Sequence, residues 1–363
     1  MNLQNLRARS EIIKLIRRFF DERGYCEMHT PRLVGLPGQE PHLEPFWTSV
    51  EARRHLASGS WQLGAEKADK QSPAANYQLP TAAALITSPE YLMKRLLAAG
   101  FDKIYDLGPC FRDNEPWDGT HDPEFLLLEW YRKNADLSSL MDETEKMVRW
   151  VLDESQKSKT KRDKSSEELS TFDFRLSTPF RRLTVEDAWR DYAGIELVPL
   201  LDDREAMVRV CREHNQTAAA TDTWDDLYFK IFLSEIEPKV CQLPATFLHR
   251  YPTSQAALAR RCADDPRWAD RVELYIGGLE LANGFVELAD PVEQRKRFEE
   301  DRNLRRMMGK KIWNLDEKFL ADLPQMGNAV GIAFGVDRFV MLLTGATSIN
   351  DVIPSSARER LFA

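Results

Sequence analysis

A strand–loop–strand segment with a mixed face constrains this chain more than any other feature. Residues 111–132 read FRDNEPWDGTHDPEFLLLEWYR, which predicts a strand over 104–112, a loop over 113–122 and a second strand over 123–132. Side chains alternate between the two faces of a strand. One face of the second strand therefore carries Phe125, Leu127, Glu129 and Tyr131.

An aromatic ring, a carboxylate and a phenol on one face are unusual for a plain core. They would suit a purine stacked on Phe125 and a cationic substrate held by Glu129 and Tyr131. Arg112, at the end of the preceding strand, offers a planar guanidinium suited to a phosphate. An edge hairpin whose arginine pairs with a loop carboxylate would explain the same residues, so this segment alone leaves both interpretations open.

A second hairpin lies in residues 271–290, RVELYIGGLELANGFVELAD, with Gly277-Gly278 as its two-residue turn. In that register Glu273 and Glu280 are diagonal neighbours on one face, ~7–8 Å apart at the backbone. Two such carboxylates could share Mg²⁺ with the phosphates of a nucleotide. The alternative is a solvated hairpin whose glutamates face water.

Three further residues of this hairpin have the opposite parity to Glu280. They can join the same site only if the strand bulges, and we expect the bulge near Asn283-Gly284 because glycine commonly marks one. The three residues are Asn283, Phe285 and Glu287.

The third segment, residues 331–345, reads GIAFGVDRFVMLLTG and predicts a small-residue strand that runs directly into an amphipathic helix. Small residues such as Ala333 and Gly335 let a ligand approach the backbone. Arg338 lies at the junction, where it could meet phosphates or cover an aromatic ring. The glycines do not have P-loop spacing.

Helical patterns frame these segments. Apolar residues at helical spacing predict a helix over 10–23, and another begins at Ser88-Pro89-Glu90, with Ser88 as its N-cap. On the latter helix we expect Leu92, Leu96 and Ala99 to face inward. Three remaining segments are predicted to be a surface hairpin or loop, a flexible charged insertion and a helical insert, at residues 51–80, 154–170 and 183–240.

Composition excludes several classes of protein. The net charge of −8 at pH 7 argues against a global nucleic-acid footprint. The five cysteines are scattered and odd in number, which favours reduced thiols over a disulfide framework. Because no stretch approaches the length of a membrane span, we expect a cytoplasmic protein without a membrane segment.

In chain order, three stretches of this sequence resemble motifs 1, 2 and 3 of class II aminoacyl-tRNA synthetases. Residues 27–31 resemble motif 1, residues 111–125 motif 2 and residues 335–338 motif 3. The stretches SPEYLMKRLL, HDPEF, LEWY and ELANGFVEL are similar to lysyl-tRNA synthetase. Because motif 1 begins so early, we expect no anticodon-binding domain, a pattern that resembles the elongation factor P–(R)-β-lysine ligase family.

Two positions sharpen this resemblance. The ligase family has Ser before Pro-Glu and Ala in the motif 3 strand, where lysyl-tRNA synthetases typically have Ala and Gly; this chain has Ser88 and Ala333. Two positions depart from the family pattern. The motif 2 loop has one extra residue, which leaves either Asn114 or Glu115 to contact adenine, with Glu115 favoured, and Asp122 stands where the family usually has Asn.

The resemblance implies a single α/β (α+β) class II catalytic domain over 1–363, with a mostly antiparallel sheet flanked by helices, and it implies ATP and Mg²⁺ as cofactors. Arg112 and Arg338 would be catalytic, and Glu273 and Glu280 would hold the metal. The implied ATP-binding residues are Arg112, Asn114, Glu115, Asp122, Phe125, Glu280, Leu281, Gly335 and Arg338. The implied substrate-binding residues are Ser88, Pro89, Glu90, Glu129, Tyr131, Asn283, Phe285, Glu287 and Ala333.

The implied reaction activates (R)-β-lysine, or lysine, as an adenylate and transfers it to a lysine side chain of elongation factor P. The resemblance also implies a homodimer, and tRNA is not the expected acceptor. Two alternatives stay open: a lysyl-type synthetase that charges tRNA or another carrier with α-lysine, and a paralogue that binds ATP or an amino acid without catalysis. The presence of both Arg112 and Arg338 favours an active enzyme.

Overall fold

A computed structural model of the chain describes residues 2–50, 82–162 and 179–362. The α-helices of these residues are α1 Leu3–Asp21, α2 Glu90–Ala98, α3 Leu137–Arg162, α4 Val185–Ala193, α5 Arg204–Glu213, α6 Trp224–Ile231, α7 Glu237–Val240, α8 Pro291–Met307, α9 Glu317–Met326, α10 Val336–Thr344 and α11 Ala357–Phe362. The strands are β1 Cys26–Met28, β2 Leu33–Val34, β3 Trp47–Ser49, β4 Ala82–Leu85, β5 Lys103–Phe111, β6 Glu124–Lys133, β7 Arg181–Thr184, β8 Thr246–Pro252, β9 Trp268–Ile276, β10 Leu279–Val286 and β11 Ala329–Gly335.

The central feature is a sheet of eight strands within the described residues, in the order β1-β5-β6-β11-β10-β9-β8-β7. Only the two outer pairs of this sheet, β1 with β5 and β7 with β8, are parallel. The inner pairs are antiparallel. A small sheet, β2-β4-β3, lies apart from it. The expectation of a mostly antiparallel sheet flanked by helices is confirmed.

Strand alternation divides the core between the two faces of this sheet. Trp130 lies in the large cluster that also contains buried residues of α1, α3 and α10. Its neighbour Tyr131 lies in the cluster with buried residues of α2, α8 and α9. The odd-numbered residues of β6, which the sequence singled out, therefore face the α2, α8 and α9 side.

Helix α1 begins earlier than predicted because the side chain of Asn2 caps it by accepting hydrogen bonds from the backbone N–H groups of Gln4 and Asn5. Its Arg9 donates to Asp337 Oδ1 at 2.9 Å, and the other oxygen of Asp337 accepts the backbone N–H of Leu126 at 2.7 Å. Asp337 is buried. One carboxylate therefore ties α1 and the start of α10 to strand β6.

Helix α2 is turned relative to the prediction. Its fully buried residues are Met93, Lys94 and Leu97. Of the three residues expected to face inward, Leu96 packs against the core and Leu92 is half-buried, but Ala99 is exposed and contradicts the prediction. The inward face includes Lys94 because its ion pairs are buried. Ser88 is not the N-cap, which is Pro89, although Ser88 Oγ does accept the N–H of Glu90 at 3.0 Å.

The helices between β7 and β8 agree with the helical insert predicted for residues 183–240, and they enclose a core of their own. The flexible insertion predicted for 154–170 is wrong in its first part, because α3 continues through Arg162. Glu154 and Lys157 pair at 2.9 Å along that helix, a spacing that supports helical structure. The rest of that prediction, and the whole of the loop predicted for 51–80, lies outside the described residues.

Across the part of the chain that the structure describes, we find no helix with the length and apolar character needed to cross a membrane.

Candidate active site

A cavity of about 160 Å³ opens where β6, β10 and β11 meet the 113–122 loop. Arg112 and Phe125 lie together in its wall, with the guanidinium carbon 5.0 Å from the centre of the ring. Arg112 Nε is buried and has no hydrogen-bond partner among the described residues. A buried guanidinium nitrogen without a partner is costly unless a ligand satisfies it. This end of the site is therefore suited to an anionic group beside an aromatic surface.

Arg338 crosses the other side of this cavity and is already held in place. It donates to the backbone oxygen of Glu280 at 2.9 Å and to that of Thr120 at 3.2 Å. Its Nη2 lies 2.7 Å from His121 Nε2. The arginine thus fixes the 113–122 loop against β10, so the predicted strand–helix junction and motif 2 loop form one wall.

The two glutamates predicted to share a metal lie on adjacent strands, and the register Tyr275 opposite Glu280 is confirmed. Glu280 lies in the cavity wall, where burial and the nearby Glu273 raise its pKa. Glu273 accepts hydrogen bonds from Tyr251 and Tyr275 and pairs with Arg271 Nη2 at 2.6 Å. Glu280 therefore offers a carboxylate that a cation such as Mg²⁺ would stabilise, whereas both oxygens of Glu273 are engaged by these three neighbours.

The expected bulge in β10 exists at a different residue. The register shifts between Glu280 and Ala282, not at Asn283-Gly284. A Cβ added to Gly284 would lie 2.8 Å from Ile332 Cβ, so this glycine allows β11 to approach closely and does not mark the bulge. The consequence that we predicted from a bulge still holds for Asn283, which lines the same cavity as Glu280.

At the other end of the site, Glu129 is a buried carboxylate with two defined partners. Ser88 Oγ donates to Glu129 Oε1 at 2.6 Å, and the hydroxyl of Tyr131 donates to Oε2 at 2.7 Å. Burial and then the Glu90 carboxylate raise the pKa of Glu129 to about 8, against these two hydrogen bonds. Ala333 lies directly opposite Glu129 across β6 and β11. Glu129 is thus oriented by these partners and shielded from water. A cation that reached it would stabilise its charge.

Two more carboxylates flank a buried ammonium group. Lys94 Nζ lies 2.5 Å from Glu90 Oε1 and 2.6 Å from Glu287 Oε2. Burial opposes the charge on Lys94, but the two carboxylates hold its pKa above the usual value. Burial raises the pKa of Glu287, while Lys94 lowers it. Glu90, Glu129 and Glu287 therefore enclose a strongly acidic pocket that contains one cation of the protein.

Small and aromatic residues shape that pocket. A Cβ on Gly331 would lie 2.2 Å from the Tyr131 ring and 2.3 Å from Glu287 Oε1, so only glycine fits between them. Phe285 pairs with Gly331 across β10 and β11 and packs beside the α2, α8 and α9 core. Asn283 Oδ1 is buried without a hydrogen-bond partner among the described residues. The pocket accordingly has a fixed outline, with a polar group available between its two ends.

Comparison with known proteins decides the identity of this fold. The model of the family described as tRNA synthetases class II (D, K and N) matches residues 1–357. The chain belongs to this class II synthetase family. The class II fold expected from the three motifs is therefore confirmed.

The relatives refine this assignment. The chain is 37% identical over 355 residues to an elongation factor P–(R)-β-lysine ligase of Proteus mirabilis (strain HI4320), which covers 97% of this chain and 94% of the relative. It is 34% identical to a ligase of the same name from Haemophilus influenzae (strain PittGG), over 97% of this chain and 94% of the relative. It is also 34% identical to one from Avibacterium paragallinarum, over 98% of this chain and 96% of the relative. The expected resemblance to that family is confirmed.

Within this class II synthetase, two residues of the predicted ATP-binding set lie differently from the rest. Asn114 is exposed and adopts a φ of 60°, whereas Glu115 lines the cavity of about 160 Å³. Asp122 also touches that cavity, but its oxygens accept Arg360 Nη2 at 2.6 Å and the Ala357 N–H at 3.1 Å. Asp122 therefore also anchors α11, and its contact with ATP stays a prediction.

The remaining predicted ATP-binding residues line the same cavity of about 160 Å³: Arg112, Phe125, Glu280, Leu281, Gly335 and Arg338. The predicted residues near the amino group, Ser88, Pro89 and Glu90, line a second and larger cavity of about 910 Å³. Glu129 connects the two ends, because it bonds Ser88 on one side and lies opposite Ala333, a wall of the smaller cavity, on the other.

Sequence reasoning missed Lys94. A signal was present, since Lys94 follows Glu90 by four residues, the spacing at which opposite charges pair on one face of a helix. A lysine in that position usually lies on a solvated surface, and its burial depends on Glu287 arriving from β10. Only the tertiary structure brings Lys94 and Glu287 into contact.

Proposed function

We propose that this synthetase activates (R)-β-lysine with ATP as an aminoacyl-adenylate and transfers it to a lysine side chain of elongation factor P. The observation that carries this proposal is that one site has two distinct ends. One end has a buried Arg112 Nε without a hydrogen-bond partner among the described residues, and the other has the buried carboxylates around Glu129. The two ends fit a nucleotide and a diamine. The relatives named above support the choice of substrate and acceptor.

In the first step a carboxylate oxygen of the amino acid attacks the α-phosphorus of ATP, and the bond to pyrophosphate breaks. Arg112 would bind the α-phosphate as negative charge builds there, and Phe125 would stack on the adenine. Arg338 would cover the other side of the base and reach the outer phosphates. Glu280, with Glu273 beside it, would hold Mg²⁺, and the ion would supply charge neutralisation at the phosphates. The chain contributes chiefly position and electrostatic stabilisation.

In the second step the acceptor amine of elongation factor P attacks the activated carbonyl carbon, AMP leaves, and the amine loses a proton. Glu129, Tyr131 and Glu287 would hold the distal ammonium of the bound amino acid throughout both steps. Glu90 would lie near the amino group closest to the carboxylate, with Asn283 and Phe285 shaping the space between. No covalent intermediate with the enzyme is required.

We further propose that the protein is a homodimer in the cytoplasm. Motif 1 resembles a dimer-forming element, and its strand β1 lies at the edge of the large sheet. All five cysteines are free thiols, in keeping with a reducing compartment. The acceptor proposed here is a protein, and tRNA is the alternative that the experiments below address.

Pyrophosphate exchange tests the choice of amino acid. We expect a higher kcat/KM with (R)-β-lysine than with α-lysine. The reason is that the Ala333 methyl group and the Ser88 hydroxyl group limit the space around the reacting end of the substrate. Ala333→Gly removes one methyl group and should narrow that preference by roughly 10-fold, the size expected for one methyl group in a pocket. Equal or faster exchange with α-lysine, together with efficient charging of tRNA, would contradict the proposal.

A further inference from the structure

A short loop between β2 and β3, residues 37–44, is held far more firmly than a surface loop needs to be. Arg305, which is fully buried, donates to the carbonyl oxygens of Glu40 at 3.0 Å and Leu43 at 2.9 Å. The same guanidinium binds both carboxylate oxygens of Glu44 at 2.9 Å. Trp313 Nε1 donates to Pro37 O at 3.0 Å. The 37–44 loop is thus fixed along its whole length.

This loop is also joined to the nucleotide end of the site. The N–H of Asp113 donates to Glu44 O at 2.7 Å, and the two residues form an isolated antiparallel bridge. Asp113 follows Arg112 directly. On the other side, Gln39 N donates to the hydroxyl of Tyr91 on α2 at 3.1 Å. The loop therefore spans the gap between Arg112 and the helix that carries Glu90 and Lys94.

Within this fixed loop, Glu40 lines the larger cavity together with Ser88, Pro89 and Glu90. Glu40 is half-buried, and it forms no ion pair with any residue in the described part of the chain. Burial and then Glu90 raise the pKa of Glu40, while Arg112 and Lys94 oppose that shift. Glu40 therefore lies within electrostatic reach of the residues at both ends of the site.

Glu90 differs from Glu40 in having an ion-pair partner among the described residues. Its Oε1 is 2.5 Å from Lys94 Nζ, and Lys94 also serves Glu287. A diamine brings two ammonium groups into the pocket, and a buried ammonium group is costly unless a carboxylate is free to pair with it. Glu129 can meet the distal ammonium. The amino group nearest the reacting carboxylate needs another anion, and Glu40 is the available one.

We propose that Glu40 is a specificity-determining residue, whose carboxylate binds the amino group nearest the carboxylate that is activated. This inference rests on the proposed function, because it names a binding partner for one group of that substrate. Glu90, ion-paired with Lys94, then shapes the subsite, and Glu40 supplies a carboxylate that has no ion pair within the described residues. The hydrogen bonds that fix the 37–44 loop hold Glu40 in place relative to Arg112. The Glu40 carboxylate can therefore distinguish substrates by the position of the amino group along the chain.

The test compares Glu40→Gln with the wild type, using two ligands that differ by the amino group in question. (R)-β-Lysine carries it, and 6-aminohexanoate lacks it. We expect Glu40→Gln to raise the KM for (R)-β-lysine in pyrophosphate exchange by roughly 10- to 100-fold, the loss of one charged hydrogen bond. The inhibition constant of 6-aminohexanoate against the same reaction should stay within about 2-fold, because that ligand has no group for Glu40 to bind.

Glu299→Gln is the matched control, because Glu299 lines the same cavity but is exposed; it should leave both constants unchanged. Equal losses for both ligands in Glu40→Gln would show a structural role and overturn the inference, as would an unchanged KM for (R)-β-lysine. Absence of exchange with (R)-β-lysine in the wild type would instead reject the proposed function, and the Glu40 assignment with it.

Discussion

Replacing Arg112 with alanine should reduce pyrophosphate exchange by roughly 10³-fold or more, as expected when a guanidinium that stabilises a transferring phosphoryl group is lost. The structure gives the physical reason. Arg112 lies over Phe125 at 5.0 Å, and its buried Nε has no partner among the described residues. Its hydrogen-bonding capacity is therefore available for the α-phosphate. The loss should appear mainly in kcat, because the interaction strengthens as charge develops.

Folding should survive this change, since Arg112 forms no ion pair within the described residues. Thermal unfolding of Arg112→Ala would check that point alongside the kinetics. Arg212→Ala, at an exposed position on α5, serves as the matched control and should retain full activity. If Arg112→Ala kept exchange within a few-fold of the wild type, the placement of the α-phosphate at this cavity would be wrong.

The second large effect is expected for Glu129→Gln, which should raise the KM for the amino acid roughly 30-fold or more, as when a buried charge loses its partner. The amide keeps the size of the side chain but removes the charge that faces the distal ammonium. Ser88 and Tyr131 both donate to Glu129, and the amide oxygen can satisfy only part of this arrangement. A shape change alone would therefore be small beside the electrostatic loss.

The pH dependence of KM separates charge from shape at Glu129. Burial and the Glu90 carboxylate raise the pKa of Glu129 to about 8. Only its ionised form attracts a cation, so the wild-type KM should fall as pH rises from about 6 to about 9, while the substrate ammonium stays charged below its pKa of ~10.4. Glu129→Gln should weaken this dependence, and Glu287, whose pKa burial also raises, should account for the remainder. If Glu129→Gln raised KM by the same factor at every pH, so that KM still fell with rising pH as in the wild type, the role of Glu129 would be contradicted.

Local periodicity predicted most of the candidate site. The alternation of β6 places Phe125, Glu129 and Tyr131 on one face whatever the rest of the chain does, and the Gly277-Gly278 turn sets Tyr275 opposite Glu280. Both of these features depend on residues close together in sequence. They could therefore be predicted before the fold was known.

Features that depend on distant residues could not be predicted in this way. Lys94 lies on a buried face only because Glu287 meets it from β10. The bulge falls at Leu281 and not at Gly284, because Gly284 is needed for the close approach of Ile332. The importance of the 37–44 loop likewise depends on Arg305, which is remote in sequence.

These cases share one physical cause. A charged residue that is buried, or a glycine packed against another strand, is stabilised by its tertiary partner and not by its own neighbours in the chain. Asp122 shows the same effect, since its carboxylate is used by Arg360 of α11. Sequence patterns thus predict the faces of the site better than the contacts that complete it.

Modification of elongation factor P is the activity proposed for this synthetase. The most direct test incubates the enzyme with ATP, Mg²⁺, (R)-β-lysine and purified elongation factor P, and then measures the intact mass of the acceptor. We expect the mass of elongation factor P to rise by one lysyl group at a single lysine, and we expect no such rise when Arg112→Ala replaces the wild type. An unchanged mass of elongation factor P, while adenylate formation is confirmed in the same reaction, would contradict it.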